Sequence, residues 1–596
     1  MADPSTPTPD TFPAADPASQ VNRDLSLVIG PNTPDLLVTT VGSLIEQQAK
    51  AFGHRCAVSV PWQSVRLSYR DVAHRSKLVA MAMLEMGLSH GDCVGVMAGN
   101  CFQYIEIFLG AARIGCPVVV INNTFSPLEL AAAVTRVNCK LLFVASTIGT
   151  RSCQAHIEKL VGLPTAETNL QCLVALGEHG VDSENGPEIH SYDSFLGHSH
   201  SIGINDAVLG RAEHRVAPSD VLNLQFTSGT TGVPKAASLT HINLINNGRY
   251  VGSSMQLTKE DVVCCPPPLF HCFGLVMGFL SSFCHGSCIV FPSDSFDAQK
   301  TIDSVVAEKA TALLGVPTMF IAELEALEKK PVEMTKVRTG LAAGSPVSKM
   351  LMERLREKMN IQGMLIAYGM TETSPVTFIT SLDDPDEKML NSIGRVFPHT
   401  GAKVIDNDGN IVPVGSRGEI CTSGFALQRG YWNDEAKTQE VMRRDEDGVL
   451  WMHTGDEGFI DSEGYGHITG RIKDIIIRGG ENITPLEIEN RLLAHASIAE
   501  ACVVGLADAK YGEVVSCFLR SSSDNQSKPL TDDQVRSWVG QALGRVKAPR
   551  YVFWLGHGGV GAELPKTGSG KYQKHLIREM GEVILKREGG AERAKL

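Results

Sequence analysis

Hydrophobic positions between residues 40 and 220 follow two alternating patterns. Short apolar runs at 93–97, 117–121 and 141–145 are typical of strands buried on both faces. Longer stretches at 72–86 and 103–115 place apolar residues at helical spacing. This alternation predicts layered βα units around a parallel sheet.

The same layering returns further along the chain. Apolar runs at 262–265, 288–291 and 312–315 predict three more strands, and residues 347–360 have the pattern of a helix. The first 400 residues are therefore expected to form a large α/β domain of layered βα subdomains.

From residue 400 the strands become shorter and the turns between them are rich in glycine. Segments 406–410 and 461–466 have hairpin-turn composition, which predicts a small β-rich subdomain. Thr484, Pro485 and Glu487 predict the start of a helix, with a capping box and a proline at its first position. A small α+β region follows to about residue 580, and composition places the domain boundary within 465–480.

Size and composition support two or more domains. The 596 residues exceed what a single core usually accommodates, and 43% hydrophobic with 20% charged residues is ordinary for a globular enzyme. A net charge of −12 argues against nucleic-acid binding, although not against a local ATP site. The 15 cysteines form no zinc pattern and are interpreted as reduced thiols of an intracellular protein. No apolar run reaches the 18 residues that a transmembrane helix needs.

The two ends of the chain differ. Residues 1–24 are predicted to be a disordered tail because the first 20 are rich in Pro, Ser, Thr and Ala and contain neither Lys nor Arg. Ala594, Lys595 and Leu596 form a conservative variant of the Ser-Lys-Leu peroxisomal address. We therefore expect residues 591–596 to bind a peroxisomal import receptor; without that signal the protein would be cytoplasmic.

The segment from Thr227 to Lys235 carries the strongest chemical signal. Its nine residues contain four hydroxyl side chains, two glycines and one lysine, directly after an apolar run at 221–226. Glycines let backbone N–H groups approach an anion, while hydroxyl and ammonium groups donate to phosphate oxygens. A phosphate-binding loop at the end of a strand is favoured over a flexible surface loop, and the segment does not fit a Walker A motif.

This loop resembles the phosphate loop of the adenylate-forming enzymes, which include acyl-CoA synthetases, beetle-type luciferases and peptide-synthetase adenylation domains. Further motifs follow in the family's order, and the resemblance covers roughly residues 40–580. The motifs are Pro-Leu-Phe-His at 268–271, Tyr-Gly-Met-Thr-Glu-Thr at 368–373, Trp-Met-His-Thr-Gly-Asp at 451–456, Gly-Arg-Ile-Lys-Asp at 470–474 and Pro-Lys-Thr-Gly-Ser-Gly-Lys at 565–571.

The resemblance implies that the protein binds ATP and Mg²⁺. Tyr368 would stack on adenine, Thr371 would contact the α-phosphate, Glu372 would hold the metal, and Asp456 would accept from the ribose hydroxyls. The implied ATP-binding residues are Thr227, Ser228, Gly229, Thr230, Thr231, Gly232, Val233, Pro234, Lys235, Gly344, Ala367, Tyr368, Gly369, Met370, Thr371, Glu372, Asp456, Arg471 and Lys571.

It also implies catalytic roles for Lys571, Glu372, Thr371 and His271. Lys571 would bring a cation to oxygens that gain charge in the transition state, and His271 would gate access of acid and thiol. Local sequence alone leaves simpler interpretations open, since Lys571 lies in an ordinary basic loop and His271 could be a core histidine.

The domain boundary follows from the same resemblance. Lys473 corresponds to a hinge between a large domain, 25–472, and a small mobile α+β domain, 473–590. After a swing about this hinge, Gly479, Gly480 and Glu481 would line the entry of CoA, although the glycines equally fit a plain hairpin. The glycine-rich segment 556–561 is longer than the link that relatives usually have, so the loop leading to Lys571 is expected to sit differently.

Segment 272–279 after His271 is apolar and contains no Asp to hold an amino group, so an uncharged aliphatic acid is the expected substrate. Small residues at 274, 278, 342 and 343 suggest room for its chain. The nearest resemblance is to medium-chain fatty-acyl-CoA synthetases and fungal-type acyl-CoA ligases. CoA is the expected acceptor; the alternatives are a carrier protein, a luciferase-like oxygenase reaction, or an inactive scaffold.

Overall fold

The computed structural model describes residues 20–163, 168–178, 180, 186–200, 205–227, 234–344, 347, 349–522, 530–567 and 571–593. Several predicted features lie outside these residues. They include 228–233 of the phosphate loop, positions 568–570 of the motif 565–571, and the C-terminal Ala594, Lys595 and Leu596. Phosphate binding by the central loop residues and peroxisomal targeting therefore stay predictions.

Eight strands form the first large sheet, called sheet I. Its first six strands in spatial order run parallel, and the last two are antiparallel. The runs predicted at 93–97, 117–121 and 141–145 are confirmed as neighbouring strands of this sheet. In spatial order the strands are Glu188–Ser191, Cys172–Leu176, Cys139–Ala145, Cys93–Met97, Val118–Val120, Val221–Thr227, Lys235–Thr240 and Gly430–Tyr431.

Nine strands form sheet II. Six consecutive strands are parallel and antiparallel strands cover both edges. The predicted strands at 262–265, 288–291 and 312–315 are confirmed within it. In spatial order the strands are Arg395–Val396, Val376–Ile379, Gly363–Gly369, Thr339–Ala343, Ala312–Gly315, Val262–Cys264, Cys288–Val290, Cys56–Val60 and Val65–Ser68.

Helices connect the parallel strands, as parallel pairing requires. Local sequence fixes several of their starts: Ser68 and Asp71, for example, form a capping box at the first of the two predicted helices. The α-helices of this domain are Val41–Phe52, Tyr69–Glu85, Phe102–Arg113, Pro127–Arg136, Gln154–Val161, Tyr192–Gly197, Asp206–Glu213, His241–Ser254, Ser281–Cys284, Ala298–Ala307, Pro317–Lys329, Lys349–Met359, Asp386–Asn391 and Glu435–Val441. Buried apolar side chains from sheets I and II share one continuous core.

The predicted β-rich subdomain is an antiparallel sheet, called sheet III. The turn predicted at 461–466 joins two of its strands as a hairpin. Its strands are Gln20–Val21, Leu27–Ile29, Thr400–Ile405, Gly418–Gly424, Met442–Arg444, Leu450–Ile460 and Gly466–Arg471. Lys473 lies in the short 3-10 turn Ile472–Asp474 that follows the last of these strands.

The C-terminal region has its own sheet, called sheet IV, and its own cores. The predicted helix begins at Pro485 as expected, but the predicted capping box is wrong. The Glu487 carboxylate pairs with Lys547 at 2.6 Å instead of returning to the helix start. Sheet IV comprises Ile476–Arg478, Glu481–Ile483, Ile498–Asp508, Gly512–Ser521 and Tyr551–Trp554, and the helices are Pro485–Leu493, Asp532–Leu543 and Lys574–Arg593.

The predicted fold class is confirmed: a large domain of layered βα units and a β-rich sheet precedes a small α+β region. Within the described part of the chain, no helix combines the length and apolar character needed to cross a bilayer.

Candidate active site

Two neighbouring parallel strands of sheet II end at one edge and bring two predicted motifs together. Ala343 is paired with Ala367, so Gly344 and Tyr368 follow side by side. Gly344 has a φ of +91°, a conformation that favours glycine. Carboxyl ends of parallel strands are where ligands of α/β sheets usually bind.

The Asp456 carboxylate connects this edge to sheet III. The Tyr368 hydroxyl donates to Asp456 Oδ2 at 2.7 Å, and Arg471 Nε lies 3.2 Å from Oδ1. Asp456 and Arg471 face each other across an antiparallel pair of strands. Asp456 is only 8% exposed, so these partners stabilise a largely buried charge. Three residues that the sequence assigned to ATP are thus brought into direct contact.

Glu419 supports the part of the strand Leu450–Ile460 that carries Asp456, and sequence reasoning missed it. Its carboxylate accepts from the Gly455 N–H and lies against His453 Nδ1, both at 2.9 Å. Although burial opposes ionisation, the His453 and Gly455 hydrogen bonds hold the pKa of Glu419 below its usual value. Glu419 lies on the neighbouring strand, so no local pattern around residues 454–456 points to it.

Glu372 lies in the 3-10 turn Thr371–Thr373, directly beyond the strand that carries Tyr368. Its side chain is nearly buried, and Oε1 accepts a hydrogen bond from the Tyr431 hydroxyl at 2.8 Å. The Gln428 N–H also donates to the Glu372 carbonyl at 2.8 Å. Tyr431 therefore orients the predicted metal ligand, and this contact between residues 59 apart in sequence was also missed.

The phosphate-loop segment closes a hairpin of sheet I. Thr227 and Lys235 are paired across its two antiparallel strands, so residues 228–234 connect them. The Lys235 ammonium lies 5.0 Å from the centre of the Tyr431 ring, within cation–π range. Tyr431 therefore connects the base of this hairpin to Glu372.

Lys571 reaches the same region from the C-terminal domain. A Cβ placed on Gly344 would lie 3.5 Å from Lys571 Cε, which is ordinary contact distance, so the lysine stem lies directly beside Gly344. Burial lowers the pKa of Lys571, and the positive charge of Arg471 lowers it further. The segment 556–561 folds into a compact turn with Val560 buried, and this turn does not keep Lys571 from the site.

His271 also faces this group. Its Nδ1 accepts the Phe273 N–H at 3.1 Å, which assigns the proton of the neutral ring to Nε2. Burial lowers the pKa of His271 to about 3, and the nearby charge of Lys571 contributes in the same direction. The ring is therefore uncharged at neutral pH. Thr371 contacts the adjacent Cys272 thiol, so the predicted catalytic residues lie together.

The residues predicted to line CoA entry lie elsewhere in this arrangement. Gly479 and Gly480 form the exposed turn between the hairpin strands Ile476–Arg478 and Glu481–Ile483. The Gly479 N–H donates to the Tyr511 carbonyl at 2.7 Å, which ties this turn to the loop before the strand Gly512–Ser521. The structure does not bring Gly479, Gly480 and Glu481 to the site that holds Lys571.

The segment after His271 forms a π-helix, Phe273–Leu280, whose eight residues are all buried. The expectation that its small residues leave room for substrate is wrong at two positions. A Cβ on Gly274 would lie 2.3 Å from the Pro268 carbonyl oxygen, and one on Gly278 would lie 2.5 Å from Cys265 Sγ. These glycines allow close packing of protein atoms instead of opening space for an acyl chain.

Comparisons with known proteins agree with this geometry. The family model described as AMP-binding enzyme matches residues 45–432, and the model of the AMP-binding enzyme C-terminal domain matches residues 487–571. The chain therefore belongs to the AMP-binding, or adenylate-forming, enzyme family.

Its relatives within that family include acyl-CoA ligases. The acyl-CoA ligase sidI of Beauveria bassiana is 46% identical over 95% of this chain and 96% of its own length. The mitochondrial medium-chain acyl-CoA ligase ACSF2 of Danio rerio is 32% identical over 96% and 93% respectively. In fold, the chain resembles the anthranilate CoA ligase AuaEII with anthranoyl-AMP, with a TM-score of 0.78 and 22% identity over 92% of this chain and 98% of that one.

Replacing Gly274 by alanine tests the packing of the π-helix. Because the new methyl group would meet the backbone of Pro267 and Pro268, we expect Gly274→Ala to destabilise the large domain by about 1–3 kcal/mol. The melting temperature followed by circular dichroism should fall by several degrees.

The matched control is Gly210→Ala on the helix Asp206–Glu213. Gly210 is exposed, and a Cβ there meets nothing within 4 Å. Helix propensity predicts that this variant is as stable as the parent or gains up to about 1 kcal/mol. Equal melting temperatures for the parent and Gly274→Ala would contradict the prediction, because they would show that the backbone at Pro267 and Pro268 moves aside from the new methyl group with little loss of stability.

Proposed function

We propose that this protein is an ATP-dependent acyl-CoA ligase that activates an apolar carboxylic acid as an acyl-adenylate and then forms its CoA thioester. The observation that supports this most directly is the convergence of Tyr368, Asp456, Glu372 and Lys571 at one edge of sheet II. These residues come from three separate motifs and two domains.

In the first half-reaction, an oxygen of the substrate carboxylate attacks the α-phosphorus of ATP, and the bond to pyrophosphate breaks. The Asp456 carboxylate would accept from the ribose hydroxyls, in exchange for part of its contact with Tyr368. The Lys571 ammonium would lie near the acyl and α-phosphate oxygens. There it stabilises charge that grows in the transition state.

In the second half-reaction, the thiol sulfur of CoA attacks the acyl carbon, and the bond to AMP breaks. The exposed turn at Gly479, Gly480 and Glu481 would need to move to the site for this step, by a swing of the C-terminal domain about Lys473. Because His271 is neutral, the positive charges near the reacting group come from Lys571 and Arg471 and not from the imidazole ring.

The acid is proposed to be a medium-chain fatty acid or a related aliphatic acid. Residues 273–280 are apolar and buried, so an ammonium group on the substrate would find no carboxylate there. The relative named a medium-chain acyl-CoA ligase is consistent with this class, while the fungal relative's name leaves its acid unspecified. A carrier protein is the second candidate acceptor.

Glu372 is proposed to hold the Mg²⁺ that accompanies ATP. Carboxylate oxygen suits this hard cation, and the Tyr431 hydrogen bond to Oε1 fixes the carboxylate's orientation. When bound, the metal neutralises phosphate charge; the protein's own contribution is to place the carboxylate beside the hairpin of Thr227 and Lys235.

Substitution of Lys571 tests the ligase proposal. Purified protein would receive ATP, Mg²⁺, CoA and a panel of aliphatic, hydroxylated and aromatic acids, with products identified by mass spectrometry. We expect Lys571→Ala to form acyl-CoA about 10²–10³-fold more slowly, because it removes a cation that stabilises transition-state charge. With preformed acyl-adenylate and CoA, the variant should still form the thioester.

Lys566→Ala is the matched control. Lys566 belongs to the same basic segment but pairs with Glu500 at 2.5 Å within the C-terminal domain, so we expect little loss of adenylation. Equal losses in both variants would contradict a specific role for Lys571. Acyl-adenylate without thioester in the parent protein would favour a carrier-protein acceptor, and the absence of both products with every acid would refute the ligase proposal.

Tyr431→Phe tests the orientation of Glu372. The change removes the hydroxyl that donates to the carboxylate and keeps the ring beneath Lys235. Because partners that orient a metal ligand typically contribute 10–100-fold to metal affinity, we expect half-maximal ATP–pyrophosphate exchange to need about tenfold more Mg²⁺.

Tyr465→Phe provides the control for a generic tyrosine–carboxylate contact. Its hydroxyl donates to Asp384 at 2.7 Å, and the Arg395 guanidinium lies 4.1 Å from its ring centre. This variant should keep the parent's Mg²⁺ dependence. If Tyr431→Phe also kept the parent's Mg²⁺ dependence, the result would contradict the proposal that Tyr431 orients Glu372 as a metal ligand.

A further inference from the structure

Two cysteines meet at one end of sheet II. Cys56 and Cys288 are the first residues of the adjacent parallel strands Cys56–Val60 and Cys288–Val290. The Cys288 thiol donates to Cys56 Sγ, and the two sulfur atoms are 3.3 Å apart. A disulfide requires a separation of about 2.05 Å, so the sulfurs need to approach by only roughly 1.3 Å.

The two thiols differ in exposure and electrostatics. Cys56 is partly exposed, whereas Cys288 is 7% exposed. The hydrogen bond from Cys288 lowers the pKa of Cys56 to about 7; burial opposes this shift, and the Arg66 guanidinium supports it. The Glu308 carboxylate, which pairs with Arg66, raises the pKa of Cys56. Cys56 therefore has the character of an attacking thiolate, and Cys288 that of a resolving thiol.

Another cysteine pair shows that proximity alone is not enough. Cys93 and Cys139 are direct neighbours across two parallel strands of sheet I, but both are almost completely buried. Burial raises the pKa of Cys93 to about 12 and raises that of Cys139 as well. Neither thiol has the exposure or the thiolate character that reaction with an oxidant needs.

We propose that Cys56 and Cys288 form a dithiol site that hydroperoxides oxidise to an intramolecular disulfide. The Cys56 thiolate attacks one oxygen of the peroxide, the O–O bond breaks, and Cys56 becomes a sulfenic acid while water or an alcohol leaves. The Cys288 sulfur then attacks Cys56 Sγ, the S–O bond breaks, and water leaves as the S–S bond forms. In sum, two thiols are oxidised and one peroxide is reduced.

The site is separate from the candidate active site. Cys56 and Cys288 begin their strands, whereas Tyr368 lies near the end of the strand Gly363–Gly369 in the same sheet. Because these strands are parallel, their starts and ends lie at opposite edges. Serine at either cysteine should therefore leave ligase activity close to that of the parent, and this activity serves as the test of folding.

Peptide mapping of the full-length protein tests the proposal. The reduced protein would be treated with hydrogen peroxide, denatured with an alkylating reagent, digested without reductant and analysed by mass spectrometry. We expect a peptide linked through Cys56 and Cys288 that dithiothreitol separates, while Cys93 and Cys139 are recovered alkylated. Before oxidation, limited alkylation should label Cys56 at least about tenfold faster than Cys93.

Single substitutions distinguish the two roles. Cys288→Ser should leave a sulfenic acid on Cys56 that dimedone traps, and Cys56→Ser should leave Cys288 reduced. Full recovery of alkylated Cys56 after peroxide treatment would overturn the proposal. So would linkage of Cys56 to a different cysteine, or oxidation of Cys93 and Cys139 before Cys56.

Discussion

The arrangement of the candidate site depends on how the buried charge of Asp456 is satisfied. An ionised carboxylate that is 8% exposed is costly unless hydrogen bonds and an opposite charge surround it. Here Tyr368 supplies the hydrogen bond from sheet II, and Arg471 supplies the charge from sheet III. One side chain therefore joins sheet II to sheet III, whose apolar residues also pack together, at the point where ATP is proposed to bind.

Residues around the Asp456 carboxylate hold the other polar groups of the site in fixed positions before a ligand binds. Glu419 accepts a hydrogen bond from the strand backbone at Gly455, and Tyr431 donates to Glu372 while its ring lies beneath Lys235. Each contact joins segments that are distant in sequence. Such preorganisation is what makes oriented charges effective in catalysis, because they do not have to reorganise during the reaction.

Sequence patterns predicted most of the fold because the relevant signals are local. The strands at 93–97 and 312–315 have the predicted bounds, and the first predicted helix begins earlier than residue 72 because Ser68 caps it. The predicted capping box at Thr484 does not form, because the Glu487 carboxylate makes an ion pair with Lys547, which is distant in sequence. The sequence of a short segment does not show whether a side chain will make a local hydrogen bond or an ion pair with a residue far along the chain.

The same distinction applies to the site. Motifs located Tyr368, Asp456 and Lys571, but the supporting roles of Glu419 and Tyr431 arise from strand pairing and contacts between distant segments. Small residues are a further example: Gly344 has a positive φ and lies beside Lys571, whereas Gly274 and Gly278 lie against protein atoms. A glycine in a sequence indicates that space is needed close to the backbone, and only the fold shows which atoms fill that space.

The position of the C-terminal domain limits what one arrangement of this chain can catalyse. Lys571 lies against Gly344, while the turn at Gly479 and Gly480 is exposed and held by Tyr511. Both segments belong to the same small domain, so bringing the turn to Tyr368 would require moving Lys571 away. The proposed reaction needs the Lys571 cation in its first step and a passage for the CoA thiol in its second. Its hinge would therefore be the exposed 3-10 turn around Lys473, where the backbone would change direction between the two steps. The geometry described here suits the first step, since it places the positive charge of Lys571 beside Asp456 and Arg471 and leaves the glycine turn in solvent.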